Sequence, residues 1–245
     1  MGIETFLKQE DEILKKSWPC YQDKIEAFDM IAMILSETAR STETMKEKRS
    51  DVAVFFVQLF HQMHVYLRLA FIMTLRGHYT ESWSILRPAT EIASHIYKMS
   101  IDPKARAEIW LNQNEKGFKN QYEKIFEKEL FPIEIPLLYA LRKVYDNCCK
   151  YASHSSFYML VNKSDFKRHN GKITHHFYDF NADDHKSEIH LVYILDVVQK
   201  ILKVMKASFA CVIDDKEFIP IAAVYEIADK QLTNARKTKL TLKSR

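Results

Sequence analysis

The stretch SILRPATEIASHIYK, Ser84 to Lys98, places Arg87, Glu91 and His95 four residues apart. On a helix each residue advances about 100°, so steps of four drift by about 40° and the three groups form one stripe. Such a stripe could do acid–base chemistry on a phosphate: Arg87 holds the anion, Glu91 orients, and His95 moves the proton. Burial would make pairing compulsory, because stripping one partner from a buried ion pair costs about 3–5 kcal/mol. A structural network meets the same demand, with Arg87 and Glu91 joining two helices. Pro88 removes the backbone hydrogen bond to the Ser84 carbonyl and predicts a kink beside Arg87.

Two other groups could contribute. His61 and His64 lie three apart, with Arg68 one turn further on. Arg68 is a candidate ligand-binding residue. His61 and His64, joined by Glu91 and His95 from a facing helix, would be the ligands of a bundle metal site. The duplicated Glu-x-x-His motif of such sites is lacking, and no metal or other cofactor is expected. The second group is YASHSSFY, Tyr151 to Tyr158, where helix gives way to irregular chain. There His154 could act as a general base or bind an anion, with Tyr151 and Ser156 beside it, or all three could cap the helix end.

Leu86-Arg87 with Glu91, followed by Tyr151-x-x-His154-x-Ser156, resembles a set of all-helical bacterial proteins with a Leu-Arg-x-x-x-Glu motif and a downstream His-Ser element. The resemblance covers roughly residues 50–215. Those proteins are similar in turn to the HEPN superfamily of helical bundles, which includes metal-independent ribonucleases and nucleotide-binding modules. It implies a nucleotide or RNA partner held by Arg87, Glu91, His95 and His154. Active HEPN ribonucleases carry Arg followed by His four to six residues later. Here Arg87 to His95 is too long, and Arg168 and His175 straddle the Asn170-Gly171 pair.

The elements that must position these residues are helices. Only four glycines and six prolines occur among 245 residues, too few for the turns of an all-β chain. Helices are expected over 3–16, 21–42, 51–77, from Thr80 through the Arg87 stripe, from Pro103 to about 128 with a break near Gly117, after Pro136, over 184–211 and over 218–234. Gly77 suits a left-handed cap that folds the Arg87 helix back on its predecessor. Asn170-Gly171 between alternating flanks predicts a small hairpin near 165–180. The sum is one all-α domain, 1–245, a bundle of about seven or eight helices. It has N-terminal helices over 1–45, a core bundle over 50–215 and a basic tail over 229–245.

Charge and cysteine usage narrow the partners. Net charge is +4, and the last 17 residues hold six Lys or Arg against one Asp, so the rest of the chain is close to neutral. The 51–77 helix is apolar, but Gln58, His61, Gln62, His64 and Arg68 interrupt it, so no membrane span is expected. Four cysteines without CxxC spacing suggest reduced thiols, and the acid- and lysine-rich N-terminus lacks a leader's apolar region. A cytoplasmic location is expected. Phosphate loops, GxSxG and HExxH are absent from the sequence. Two readings remain open beside the metal site: a HEPN-like module that binds nucleotide or RNA, with or without cleaving a phosphodiester, or a non-catalytic, homo-oligomeric helical protein whose cluster is a stabilising network.

Overall fold

The computed structural model describes residues 2–44, 51–152, 164–169, 172–177, 184–213 and 215–238. The architecture is all-α. Among the described residues it has nine α-helices: α1 (Ile3–Cys20), α2 (Gln22–Thr44), α3 (Asp51–Leu75), α4 (Tyr79–Ser100), α5 (Pro103–Leu111), α6 (Lys119–Tyr122), α7 (Pro136–Ala152), α8 (Asp184–Phe209) and α9 (Asp215–Lys237). That exceeds the expected seven or eight, because the segment after Pro103 is divided into separate helices by the expected break near Gly117. It turns at Asn112 to Phe118, resumes as α6 and widens into a π turn over Glu123–Glu127. Between α7 and α8 lie two six-residue strands, β1 (Ser164–His169) and β2 (Lys172–Phe177), paired antiparallel with Ser164 opposite Phe177.

The order of packing follows from which helices have two apolar faces. Helix α4 touches α3, α5, α7, α8 and the π turn, so it is the hub. Its inner positions Leu86, Ala89, Ala93 and Ile96 are at most 1% exposed. The two alanines keep its backbone close to its neighbours, and larger residues from α3 and α8 fill the space between: Phe60, Met63 and Leu67 from one, Leu195, Val198 and Phe209 from the other. Helix α9 packs on α2 and α8, and its register is fixed by polar bonds. Gln199 Nε2 donates to Asp229 at 2.7 Å and to the Thr233 hydroxyl at 2.9 Å, while Arg236 bridges to Asp196 at 2.7 Å. Residues 229–237 of the basic tail are therefore helix seated on the bundle; the tail beyond Thr238 lies outside the described residues.

The α3–α4 turn is a Schellman cap. Gly77 has φ 83°, its N–H donates to the Thr74 carbonyl, and the His78 N–H reaches Met73 at 2.8 Å. This cap sets His78 in place to meet Glu10 of α1, with Nε2 and Oε1 2.5 Å apart and both side chains buried. One glycine thus fixes both the antiparallel α3–α4 pair and the seat of α1. Any Cβ at φ 83° is strained, so Gly77→Ala should lower stability by about 1–2 kcal/mol, with Gly77→Asn milder. Urea denaturation would show this, and equal midpoints for the Gly77→Ala variant and wild type would refute the cap's role.

Candidate functional site

Along α4 the stripe divides into an outer and an inner half. In the outer half, Arg87 Nε donates to Glu91 Oε1 at 2.9 Å, and the guanidinium lies over the Tyr145 ring of α7, 5.1 Å from its centroid. The Glu91 hydrogen bond favours the charged guanidinium. Half of the Arg87 side chain and about a third of Glu91 remain exposed. An i,i+4 pair at this exposure contributes about 0.3–0.5 kcal/mol, and the ring contact about 0.5–1 kcal/mol. The pair is a surface link between α4 and α7, not the fully buried charge pair whose rupture would cost several kcal/mol.

The inner half is committed to packing. His95 Nδ1 accepts a hydrogen bond from Trp110 Nε1 at 3.3 Å, which places the ring proton on Nε2. Phe126 and Tyr122 meet the ring edge-on, at 5.4 and 6.2 Å. Burial, with Lys98 adding repulsion, holds the imidazole down at about 4 from an ordinary 6.5. A neutral ring whose acceptor nitrogen is occupied is a poor base toward anything Arg87 holds.

Lys98, one turn beyond His95, is the residue the sequence did not flag. Its side chain is 5% exposed, and Nζ donates to three backbone carbonyls: Glu129 at 2.6 Å, Ile125 at 2.9 Å and Phe126 at 3.4 Å. These carbonyls belong to the π turn and the chain leaving it, where the α-helical ladder no longer supplies every donor. Ser94 Oγ donates to the next carbonyl, Leu130, and Arg106 in turn donates to the Lys98 carbonyl at 2.8 Å. Burial pushes the Lys98 ammonium down to about 8, opposed by Glu129 and aided by Arg106, so it is charged at neutral pH.

Near the third predicted group, Tyr151 packs on Trp83, 5.1 Å between ring centroids. Trp83 also meets Tyr193 at 4.5 Å and His190 at 5.6 Å. His190 stacks on Tyr79 at 4.6 Å, and the Tyr79 hydroxyl hydrogen-bonds Ser187 at 2.7 Å. Burial lowers His190 to about 4. This cluster is continuous aromatic packing between α4, α7 and α8. His154 and Ser156 lie outside the described residues.

The remaining predicted residues are elsewhere. Gln58, His61, His64 and Arg68 of α3 line a groove of about 440 Å³ against Leu35 and Ser36 of α2. They do not converge with Glu91 and His95, and among the described residues no group of three or more His, Cys, Asp or Glu is placed to hold a metal ion. Burial, then the charges of Arg68 and His61, lower His64 to about 4. Among the described residues no helix is long and apolar enough to cross a membrane. No family model, curated protein or solved structure matches the chain.

The two halves of the stripe should respond differently to mutation. Arg87→Ala should cost about 1 kcal/mol, whereas Lys98→Met, which leaves up to three buried carbonyls without a donor, should cost about 2–4 kcal/mol. Chemical denaturation of both variants checks the order, and a reversed order would overturn it. Acid should also weaken the fold. His64, His95 and His190 sit near 4 when folded and 6.5 when unfolded, so the unfolded chain binds more protons between those values, and stability is lost as pH falls from about 6.5 towards 4. Each histidine contributes a slope of up to about 1.4 kcal/mol per pH unit. His95→Gln should reduce the slope measured between pH 6 and 5; an unchanged slope would contradict the packing given to His95.

Proposed function

We propose that this chain is a non-catalytic helical binding protein whose α4 stripe is framework and not reaction machinery. The observation that carries the reading is the state of His95: its acceptor nitrogen holds the Trp110 N–H, aromatic rings close its edges, and its basicity is depressed by burial. The proton carrier of the phosphodiester chemistry is thus withdrawn from the arginine that would bind the phosphate. Cys148, the buried thiol near this face, is pushed up to about 12 by burial and offers no nucleophile. In this reading Lys98 and Ser94 clamp the π turn to α4, and Arg87 with Glu91 links α4 to α7.

A second reading is favoured by one feature. The Arg87 guanidinium spends only its Nε edge on Glu91; its two Nη groups have no hydrogen-bond partner among the described residues and stand over Tyr145. A nucleotide or RNA phosphate could be held there, with the tyrosine face beside a base. This keeps the HEPN-like relationship as a non-nuclease binding module.

The test is an assay of wild type, Arg87→Ala, His95→Gln and His154→Ala against short single-stranded RNAs and a nucleotide panel, with circular dichroism to confirm folding. The expected outcome is no cleavage by any of the four proteins. Turnover by wild type that His95→Gln or His154→Ala abolishes while staying folded would overturn the non-catalytic reading. Nucleotide binding lost in Arg87→Ala alone would select the second reading over a purely structural stripe.

A further inference from the structure

The groove between α2 and α3 gathers several polar side chains that no other described residue engages. Gln58, His61, His64 and Arg68 occupy positions three, three and four residues apart, so they line one face of α3 over about 15 Å. Opposite them α2 presents Leu35, Ser36 and two alanines, a low and mostly apolar wall. The volume, about 440 Å³, lies within the range of small-molecule sites.

Three observations point to an anion. First, His64 is 7% exposed, stacks on Phe28 at 6.4 Å, and has no hydrogen-bond partner among the described residues. Neither ring nitrogen of His64 is among the sealed, unsatisfied atoms of the described fold, so the ring faces the groove and can hydrogen-bond to whatever occupies it. Second, Arg68 is exposed and has neither ion pair nor hydrogen bond among the described residues, although most other arginines of the fold are paired: Arg40 with Glu37, Arg76 with Glu10 and Asp11, Arg236 with Asp196. Third, among the described residues no carboxylate lines the groove, and the nearby Glu37 is engaged by Arg40. A cation would meet Arg68 with nothing to offset it, which disfavours a metal ion on His61 and His64.

We infer that the α2–α3 groove binds a singly charged organic anion with an elongated apolar body, its carboxylate on the Arg68 fork and His64, its tail along Leu35 and the small residues of α2. One guanidinium balances one negative charge, and a planar fork matches a planar carboxylate in two parallel hydrogen bonds. Gln58 and His61 remain to order polar atoms or water further along the same face. The inference uses no residue of α4 and stands apart from the reading of the Arg87 stripe.

The test uses the full chain with decanoate, kept below its micelle-forming concentration, in titration calorimetry and thermal unfolding. Wild type should bind decanoate saturably with a raised Tm. Decyltrimethylammonium, with the same tail and opposite charge, and acetate, with the same head and no tail, should each bind at least about tenfold more weakly. Arg68→Gln should weaken decanoate by about tenfold or more, and Ser36→Trp should block the groove; both positions are exposed, so both variants should fold. The inference is overturned if folded wild type shows no saturable decanoate binding, if the cationic analogue or acetate binds as well, if either variant binds like wild type, or if zinc alone raises Tm where decanoate does not.

Discussion

A lysine ammonium buried among backbone carbonyls sets the layout of half this bundle. Lys98 brings three donors to the place where the Glu123–Glu127 segment stops satisfying its own carbonyls. Without such a donor, a π turn packed against the core would leave polar acceptors away from water, which the hydrophobic gain around them would not readily offset. With it, the connection from α5 to α7 can lie flat on α4. That connection delivers Phe126 to the core and returns the chain at Phe131 for α7 to pack along the far side of α4. The arrangement is reciprocal: Arg106 of α5 donates to the Lys98 carbonyl, so the start of the connection is tied to the same turn of α4 as its end.

What could be read from the sequence follows the range over which each interaction acts. Gly77 could be placed at a helix end because its requirement, a left-handed φ, is local, and the Arg87–Glu91 pair could be placed because i,i+4 neighbours meet on any helix. The all-α class followed from scarce glycine and proline together with three-to-four spacing of apolar residues. Lys98 was passed over because its partners are carbonyls, which every residue carries, so no side-chain pattern marks them. His95 was placed on the stripe correctly but not on its partner: Trp110 arrives by way of a separate helix, α5, fifteen residues on. The break at residues 112–118 was legible at Gly117, a poor helix former within an otherwise helical pattern, although that glycine does not adopt a positive φ. The groove was half legible: His61, His64 and Arg68 were visible as polar interruptions of an apolar helix, but which neighbour they face is a property of the packing.

Polar side chains in this protein sort by whether the fold uses them. Lys98, Ser94, His95, Gln199 and Arg236 each bond to neighbours within the bundle, though Arg236 Nε stays buried without a partner, and Tyr79 with Ser187 does the same beneath the aromatic cluster. Such groups specify register and connection, because a shifted helix would leave them unpaired at a cost of about 1–3 kcal/mol each. They are poor places to seek chemistry, since a ligand would have to outcompete partners that are already positioned. His95, His190 and Tyr193 have shifted basicity for the same reason. Burial penalises the charged form, and the shifts of these half-buried groups follow from the packing around them.

By the same reasoning, the α3 face toward α2 differs in kind. Packing efficiency alone would favour Leu or Met at position 64, since an imidazole with no hydrogen-bond partner among the described residues gains only the ring contact with Phe28. Arg68 three residues after Val65 gains nothing from the fold that Lys or Gln would not supply, because it is exposed and pairs with no carboxylate among the described residues. Stability therefore explains the α4 stripe residue by residue and does not explain the α3 stripe. His64 and Arg68 present polar groups to the groove that no other described residue engages, and that, more than the volume of the groove, distinguishes this face from a plain gap between two helices.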